Sequence, residues 1–431
     1  MARLLPLFLM GACLSACGHP ALSTPPRGSN AQVQAHGVPG KVLVGWRKPA
    51  LAERVLSRLQ ARRQASSEQA EAERGLLPVD LVELPTTLSP EDFAREAGEA
   101  AAWVEPERIW RLPPVSPEPG VSEFPGGEAL PSKRFSARQA WLEQVKAPAA
   151  WRISRGRAEV RIAVVDTGID ETHPALRGQI AGTWRASGTL AKFGLGSARD
   201  DNGHGTHCAG IAVANGTDGA ATGVAPGCRV LAIKALDRHG AGSTSDIVRG
   251  IRWALAHEAK VLSLSVGGVE QSQALTAAVS DALRAGVVVV AAMGNEGKEV
   301  KNFPAALAGV IAVGAVNHAD QPASFSTRGS WISVCAPGVG IWSTSPTYPV
   351  TLGRENSHFR LGEGKLSGTS MATPMVAGLA ALMLSANPNL SPAQVKVSIE
   401  RHAHGLGAGF SPRTGYGRVD LSASLAAVRK D

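Results

Sequence analysis

The stretch Arg161-Ile162-Ala163-Val164-Val165-Asp166-Thr167-Gly168 shows the pattern that decides the fold, a short apolar run that ends at a carboxylate. Further apolar runs follow it, and segments with helical periodicity lie between them. Together the runs cover residues 160–165, 230–233, 261–266, 287–292 and 310–316. Short β-rich runs that alternate with helices predict an α/β fold, a parallel sheet with helices on both faces. Reactive residues of such folds lie where the strands end.

A second pattern presents a candidate nucleophile. It reads Gly368-Thr369-Ser370-Met371-Ala372-Thr373-Pro374, and an apolar helical run follows it. A serine at such a small-residue helix entry is exposed beside backbone N–H groups that point at the same place. The structural alternative is a helix cap, because serine and threonine are common N-cap residues.

A histidine and an aspartate complete a constellation with Ser370. His204 lies in Asp201-Asn202-Gly203-His204-Gly205-Thr206-His207, and Asp166 follows the first apolar run. A serine hydroxyl needs a base, which histidine provides near neutral pH, and a carboxylate orients the imidazole. Alone, the aspartate is typical of a cap and the histidine of a structural residue. Their combination predicts a catalytic triad in the order Asp166, His204, Ser370.

An amide is the fourth candidate at this site. Asn295 lies in Ala292-Met293-Gly294-Asn295-Glu296-Gly297, which by itself indicates a tight turn at a strand end. Its N–H₂, together with the backbone N–H of Ser370, would hold the oxyanion of a tetrahedral intermediate.

The composition is typical of a globular protein with enough apolar residues to form a large core. The chain has 431 residues, 44% of them hydrophobic and 19% charged, with a net charge of +8. The positive residues are scattered, and no basic stripe with interleaved aromatic residues occurs. We therefore predict no nucleic-acid partner.

The first residues are typical of an export signal. A short basic start precedes an apolar segment, residues 4–13, that is too short to span a membrane. Leu14-Ser15-Ala16-Cys17 resembles the bacterial lipobox, in which Cys17 would be lipidated; an ordinary secretory cleavage site is the alternative. Residues 1–17 are predicted to be the signal peptide and 18–39 a tether. The protein would be exported, as a cell-envelope lipoprotein or secreted.

Two regions separate the tether from the main unit. Residues 40–112 read as a small α+β domain, with a helix expected from Leu51 to about Ala72 and another starting at Ser89. Residues 113–138 are rich in proline, glutamate and glycine, which indicates an exposed linker.

Three cysteines fall outside the signal, namely Cys208, Cys228 and Cys335. An odd number permits at most one disulfide, and a Cys228–Cys335 bridge is one option beside buried free thiols. Their spacing does not fit a metal site.

The four site motifs resemble the signature blocks of the subtilisin-like serine proteases, the subtilases, and the resemblance extends from about Trp141 to Asp420. It implies a three-layer α/β/α sandwich with a mostly parallel sheet of about seven strands in residues 139–431. It also implies a serine endopeptidase that acts through an acyl-enzyme. Residues 40–112 resemble the family's inhibitory propeptide, which would make the protein a zymogen processed by itself within 113–138.

The resemblance also implies where peptide and protein substrates bind. Leu264-Ser265-Val266-Gly267-Gly268 resembles the edge strand that pairs with an extended substrate. With Ala292 and Gly294, the residues Ser265, Val266 and Gly267 would wall the pocket for the residue before the scissile bond (P1). These walls are small and apolar, so we expect broad specificity for apolar P1 residues.

The sequence departs from the family at its usual calcium site. Where many subtilisins have an aspartate after His-Pro, this chain has Ala175, and Thr217 replaces an asparagine of the completing loop. Asp218 leaves weak calcium binding open. We predict no required cofactor and no metal ligand set.

Two other classes are less consistent with the residues. A protease-derived binding protein without activity would have lost a triad member, and all are present. An esterase with the same triad usually carries Gly-x-Ser-x-Gly and the order Ser, Asp, His, and neither occurs.

Overall fold

The structure is a computed structural model that describes residues 37–66, 76–113, 138–186, 198–217 and 220–429. The predicted signal peptide, Cys17 and nearly all of the tether and linker lie outside the described residues. The predictions made for those segments stay predictions.

The N-terminal unit is a four-stranded antiparallel sheet, ordered β2-β3-β1-β4, with two helices packed against it. Its side chains form a separate core that includes the fully buried Val42, Trp46 and Phe93. The bounds of its elements are β1 Lys41–Trp46, α1 Ala52–Arg58, β2 Arg62–Ser66, β3 Val79–Glu83, α2 Pro90–Ala97 and β4 Ala101–Pro106.

The long helix expected from Leu51 to about Ala72 is wrong. The chain leaves helix α1 through Gln60, which has a left-handed φ of 53°. It then forms β2, which pairs with β3, and Arg63 donates to the Asp80 carboxylate over 2.7 Å. Sheet pairing and an ion pair to a buried aspartate outweigh the local helix propensity.

The segment after β4 leaves this unit. Strand β5, Ile109–Arg111, pairs antiparallel with β9, Ala241–Ser243, in the C-terminal unit.

A seven-stranded parallel sheet forms the centre of the C-terminal unit, in the order β13-β12-β11-β10-β6-β8-β7. The bounds are β6 Arg161–Asp166, β7 Ile180–Arg185, β8 Arg229–Lys234, β10 Ala259–Leu264, β11 Val288–Ala292, β12 Ile311–Val316 and β13 Val334–Pro337. A small antiparallel pair lies outside it, β14 Ile341–Thr344 and β15 Glu363–Leu366.

Helices cover both faces of the sheet, which confirms the predicted three-layer sandwich. Their bounds are α3 Ala140–Gln144, α4 Ala147–Ala150, α5 His204–Val213, α6 Thr244–Ala256, α7 Gln273–Arg284, α8 Thr351–Glu355, α9 Thr369–Ala386, α10 Pro392–Arg401 and α11 Leu421–Ala426. Side chains of α5 and α9 share one core with alternate strand residues such as Ile162 and Val164. Those of α6 and α7 share the other core with Ala163 and Val165.

Helix α9 is the central helix of the first core. In the described part of the chain it is the one helix long and apolar enough to cross a membrane, and 94% of it is buried inside the protein. Its apolar character therefore reflects burial in the core.

All three cysteines of the described chain are free and buried. The Cys228–Cys335 bridge that the sequence left open is not formed. Cys228 instead contacts the hydroxyl of Ser385, with 3.6 Å between Sγ and Oγ.

Candidate active site

The four predicted site residues meet at the carboxyl edge of the parallel sheet. Asp166 is the last residue of β6, and His204 is the first residue of α5. Ser370 is the second residue of α9, and Asn295 follows the end of β11 by three residues. The sheet thus brings together side chains that are far apart in sequence.

The Asp166 carboxylate holds the imidazole of His204. Nδ1 of His204 lies 2.9 Å from both carboxylate oxygens, and both side chains are about 1% exposed. Burial alone would lower the pKa of His204, but the carboxylate outweighs it and raises the pKa well above its ordinary value. The contact places the Nδ1 proton toward Asp166, which leaves Nε2 to exchange a proton with a neighbour.

A glycine after the histidine permits this approach. A methyl group added at Gly205 would lie 2.1 Å from the carbonyl oxygen of Gly168 and 3.2 Å from Oδ1 of Asp166. Helix α5 therefore packs its first turn against the end of β6 only because position 205 lacks a side chain.

Ser370 is fixed by contacts with the strand end after β10. Its hydroxyl donates to the Ser265 carbonyl over 3.4 Å, and the Ser265 hydroxyl donates to the Ser370 carbonyl over 3.2 Å. The buried thiol of Cys208 donates to that same Ser370 carbonyl over 3.4 Å. The nucleophile candidate is thus held at the floor of the groove bordered by residues 265–267.

Asn295 is oriented by the residue before the serine. Its Oδ1 accepts the backbone N–H of Thr369 over 3.0 Å and the Thr369 hydroxyl over 2.9 Å. The Thr369 hydroxyl in turn accepts the N–H of Gly294 over 3.2 Å. With the carbonyl side of the amide committed to Thr369, the N–H₂ group faces the opposite direction, near Gly368.

Sequence reasoning missed the buried carboxylate that shapes the loop before His204. Asp200 is fully buried and accepts N–H groups of Asn202, Gly203 and Thr206 and the hydroxyls of Thr206 and Thr167. Burial raises the pKa of Asp200, and these hydrogen bonds oppose the rise. The only sequence signal was an aspartate just upstream of the His204 motif.

His207 has a structural position behind the site. Its Nε2 lies 3.1 Å from the carbonyl oxygens of Ile341 and Gly364 and donates to them. Complete burial lowers the pKa of His207 to about 3, so the ring is neutral. Of these two histidines, His204 has the ring nitrogen that lies 2.9 Å from the Asp166 carboxylate.

The cleft has two edges, and strand β5, which follows the N-terminal unit, lies between them. On one side β5 pairs with β9, and on the other Arg111 bridges antiparallel to Gly267. Trp110 is 4% exposed, and its Nε1 donates to the Thr244 hydroxyl over 2.8 Å. The edge formed by β9 had no distinguishing signal in the sequence.

The residues predicted to contact substrate divide into two groups. Ser265 and Gly267 border the cleft beside Ser370 and β5. Val266 is 1% exposed and packs in the core that also contains Met293 and Trp110. Ala292 ends β11, and Gly294, with a φ of 100°, contacts Thr369; these two residues are buried as well.

Two carboxylates of the N-terminal unit contact helix starts beside the cleft. Glu105 accepts the Ser272 hydroxyl over 2.6 Å and the N–H groups of Gln273 and Ala274 over 2.8 and 3.0 Å. Glu107 accepts the Ser245 hydroxyl over 2.6 Å and the Ser245 N–H. Carboxylates at helix N-termini are stabilised by the orphan N–H groups and the helix dipole.

The described residues at the family's calcium position do not fit a strongly bound cation. The Ala175 side chain is fully buried and offers no ligand atom. Its carbonyl accepts the N–H of Asn215, whose Oδ1 accepts the N–H of Thr217. Asp218 lies outside the described residues. Hard cations prefer several converging oxygen ligands, which these residues do not supply.

Comparison with known proteins identifies the family of the chain. The model of the subtilase family, Peptidase_S8, matches residues 157–417. The chain therefore belongs to the subtilase family, and it is a serine endopeptidase.

Individual relatives support the same assignment. Thermitase of Thermoactinomyces vulgaris is 41% identical over 271 residues, which are 62% of this chain and 89% of thermitase. Subtilisin of Bacillus pumilus is 40% identical over 292 residues, 66% of this chain and 97% of that protein. The structure of fervidolysin from Fervidobacterium pennivorans, a keratinolytic enzyme related to subtilisin, aligns with a TM-score of 0.75 at 28% identity. That alignment covers 91% of this chain and 62% of fervidolysin.

Proposed function

We propose that the protein is an exported endopeptidase in which Asp166, His204 and Ser370 form the catalytic triad. His204 takes the proton of the Ser370 hydroxyl as Oγ attacks the peptide carbonyl, and it returns the proton to the leaving nitrogen. Asp166 keeps Nδ1 protonated and stabilises the imidazolium, as its 2.9 Å contacts allow. Water then hydrolyses the acyl-enzyme by the same proton path in reverse.

Asn295 and the start of helix α9 stabilise the oxyanion. The Asn295 N–H₂ is oriented by the bonds from Thr369 to its Oδ1. The backbone N–H of Ser370 belongs to the first turn of α9, where the helix dipole favours negative charge. Both donors act on charge that develops only in the transition state.

One observation carries this function, namely an extended segment bound between both edges of the cleft. Strand β5 pairs with β9 and, through Arg111, with Gly267. A protein substrate would bind in the same way, as an added strand whose main chain supplies most of the contacts. The bordering residues Ser265 and Gly267 are small, which supports broad specificity for apolar P1 residues.

Residues 40–112 act as an inhibitory propeptide in this proposal. The unit fills the cleft with its own strand, and Glu105 and Glu107 attach it to helices α7 and α6. The fervidolysin alignment covers 91% of the chain, so it extends beyond residues 139–431. Processing within 113–138 would separate the two units.

Export rests on the N-terminal sequence. Residues 1–17 would be the signal peptide, Cys17 the lipidated residue and 18–39 the tether. Mass spectrometry of the mature N-terminus tests this proposal, and an intact, unlipidated start at Ala2 would contradict it.

The decisive experiment on function is Ser370→Ala in the full chain. We expect loss of casein hydrolysis, loss of fluorophosphonate labelling, and an uncleaved linker. Ser422→Ala, a serine outside the site, is the matched control and should behave like wild type. Normal casein hydrolysis by the Ser370 variant would refute the assignment. Comparison of peptide with simple ester substrates separates a peptidase from an esterase.

A further inference from the structure

The strand register across the cleft identifies the residue that faces the nucleophile. Arg111 bridges antiparallel to Gly267, and in an antiparallel pair a step forward in one strand is a step back in the other. Counting two residues forward from Arg111 and two residues back from Gly267 therefore places Pro113 opposite Ser265. The Ser265 carbonyl oxygen lies 3.4 Å from Oγ of Ser370. Continued by two residues, this register assigns Pro113 to the P1 position, with its carboxyl bond presented to Ser370.

Several contacts fix this register. The Leu112 N–H donates to the Gly240 carbonyl over 2.9 Å, which continues the β5–β9 pairing toward the nucleophile. Trp110 is buried with its indole against Gly268, where an added methyl group would lie 2.9 Å from the ring. A shift by one residue would move this indole to the other face of the strand.

The first of the two prolines, Pro113, changes the hydrogen bonding between the segment and the cleft. Pro113 has no N–H and cannot donate to the Ser265 carbonyl, as another P1 residue would. That carbonyl instead accepts the hydroxyl of Ser370. The segment thus fills the cleft while the nucleophile remains hydrogen-bonded to the cleft wall.

The bond after Pro113 is also a poor one to cleave. The sequence joins Pro113 to Pro114, so the leaving nitrogen carries a ring carbon where an ordinary amide carries hydrogen. In acylation the Oγ–C bond forms, the C–N bond breaks, and the Ser370 proton passes through His204 to that nitrogen. The ring carbon crowds this proton path, and loss of general acid catalysis costs about 10²–10⁴-fold in rate.

We propose that residues 109–113 form a plug that fills the active site and that the enzyme does not cut. The proposal rests on the function proposed above, in which residues 40–112 inhibit the enzyme. In the described part of the chain, the contacts that hold the plug come from residues before Pro114, among them Glu105, Glu107, Trp110, Arg111 and Leu112. The linker is therefore cut at some bond other than Pro113–Pro114, and the cut leaves the plug in place.

The test replaces both prolines in the full chain, Pro113→Leu with Pro114→Ala, to give an apolar P1 residue and an ordinary amide. Mass spectrometry of the fragments should find no cut after Pro113 in wild type. In the double variant we expect a new cut between positions 113 and 114, faster than in wild type by at least about 10²-fold. Pro117→Ala makes the same chemical change beyond the plug and should yield no cut after residue 113.

Fluorophosphonate labelling gives a second measurement. After the linker has been cut, Ser370 should label more slowly while the N-terminal unit stays docked than after added trypsin has degraded that unit, because the plug competes for the cleft. A wild-type fragment that ends at Pro113, or a double variant that is never cut after position 113, would overturn the proposal. Failure of the proposed function looks different, because no form would then label or hydrolyse peptides, even after added trypsin has degraded the N-terminal unit.

Discussion

Two pairs of helix starts border the cleft, and their polar partners come from different units. Helices α5 and α9 begin after Gly203 and Gly368, and side chains of the C-terminal unit accept N–H groups of their first turns: Asp200 accepts from Thr206 and Asn295 from Thr369. Helices α6 and α7 have serine caps, Ser243 and Ser272, and carboxylates of the N-terminal unit lie beside both caps.

The comparison shows that the preference of a helix start for negative groups can serve both catalysis and docking. A helix start favours a negative group because its first N–H groups lack partners. At α9 the proposed negative group is a transient oxyanion. At α6 and α7 the group is a standing carboxylate, Glu107 or Glu105, which attaches the N-terminal unit.

The largest effect is expected at the start of α9, where Asn295 is proposed to act with the Ser370 N–H. Asn295→Leu removes one oxyanion donor, and kcat should fall about 10²–10³-fold, the range established for a subtilisin, with little change in KM. Kinetics on a peptide substrate measure this. Asn317→Ala, which alters an asparagine in a surface turn, should leave kcat unchanged. A loss of only a few-fold would mean that the α9 start does not stabilise the oxyanion with Asn295.

The next effect concerns the capped start of α7. Glu105→Ala, made in the uncleaved Ser370→Ala chain, leaves the N–H groups of Gln273 and Ala274 without their carboxylate. Docking of the N-terminal unit should weaken by about 2–5 kcal/mol. Hydrogen exchange of the Leu112 amide, which is bonded to Gly240 only when β5 is docked, reports this loss.

A control substitution in the N-terminal unit tests whether that loss is specific to Glu105. Glu99→Ala removes an exposed carboxylate that pairs with Lys48 and should not change exchange at Leu112. Equal exchange in the Glu105 and wild-type chains would show that the carboxylate at α7 does not hold the unit.

Docking should also depend on pH through the capped start of α6. Burial raises the pKa of Glu107 to about 7, although the bonds from Ser245 oppose the rise. The docked state therefore binds a proton more tightly than the undocked state. Docking is strongest below the ordinary glutamate pKa and weakens as pH rises through 7, by up to about tenfold per unit between pH 5 and 7.

The same exchange experiment at several pH values measures this slope, after correction for intrinsic exchange rates. Glu107→Gln keeps the shape but cannot titrate, so its docking should be nearly independent of pH in that range. A variant with the wild-type slope would assign the pH dependence to another group.

The smallest effect is expected at a helix start with no proposed part in catalysis or in docking. Helix α10 begins with a capping box, in which Ser391 and Gln394 satisfy each other's backbone N–H groups. Ser391→Ala should lower the free energy of unfolding by about 1 kcal/mol. Denaturant unfolding of the Ser370→Ala background measures it, and both docking and activity should stay unchanged. A change at Leu112 would show that cap loss acts on the cleft from a distance.

The fold was predictable to the extent that its strands are apolar. The five runs correspond to β6, β8, β10, β11 and β12, which lie inside the sheet and are buried on both faces. The runs missed β7, an edge strand that is only half-buried, and β13, an edge strand of four residues that ends in Pro337. The N-terminal helix was overextended because β2 depends on its partner β3 rather than on its own residues.

The sequence predicted the residue types of the candidate site, but it did not predict all of the residues around them. The motifs around Asp166, His204, Asn295 and Ser370 are local signals, since each needs a particular turn or helix start. Asp200 and the β9 edge were missed because their roles depend on contacts with distant parts of the chain.

The sequence by itself determined the chemical groups of this protein, their order, and the alternation that makes a parallel sheet. It also placed two prolines after Leu112 and two glutamates before Arg108. Only the tertiary structure decided that Asp166 lies 2.9 Å from His204, that those glutamates contact helix starts of another unit, and that Arg111 pairs with Gly267. The physical reason is that local preferences act over a few residues. Strand register and packing join residues more than a hundred positions apart, and no local pattern encodes those distances.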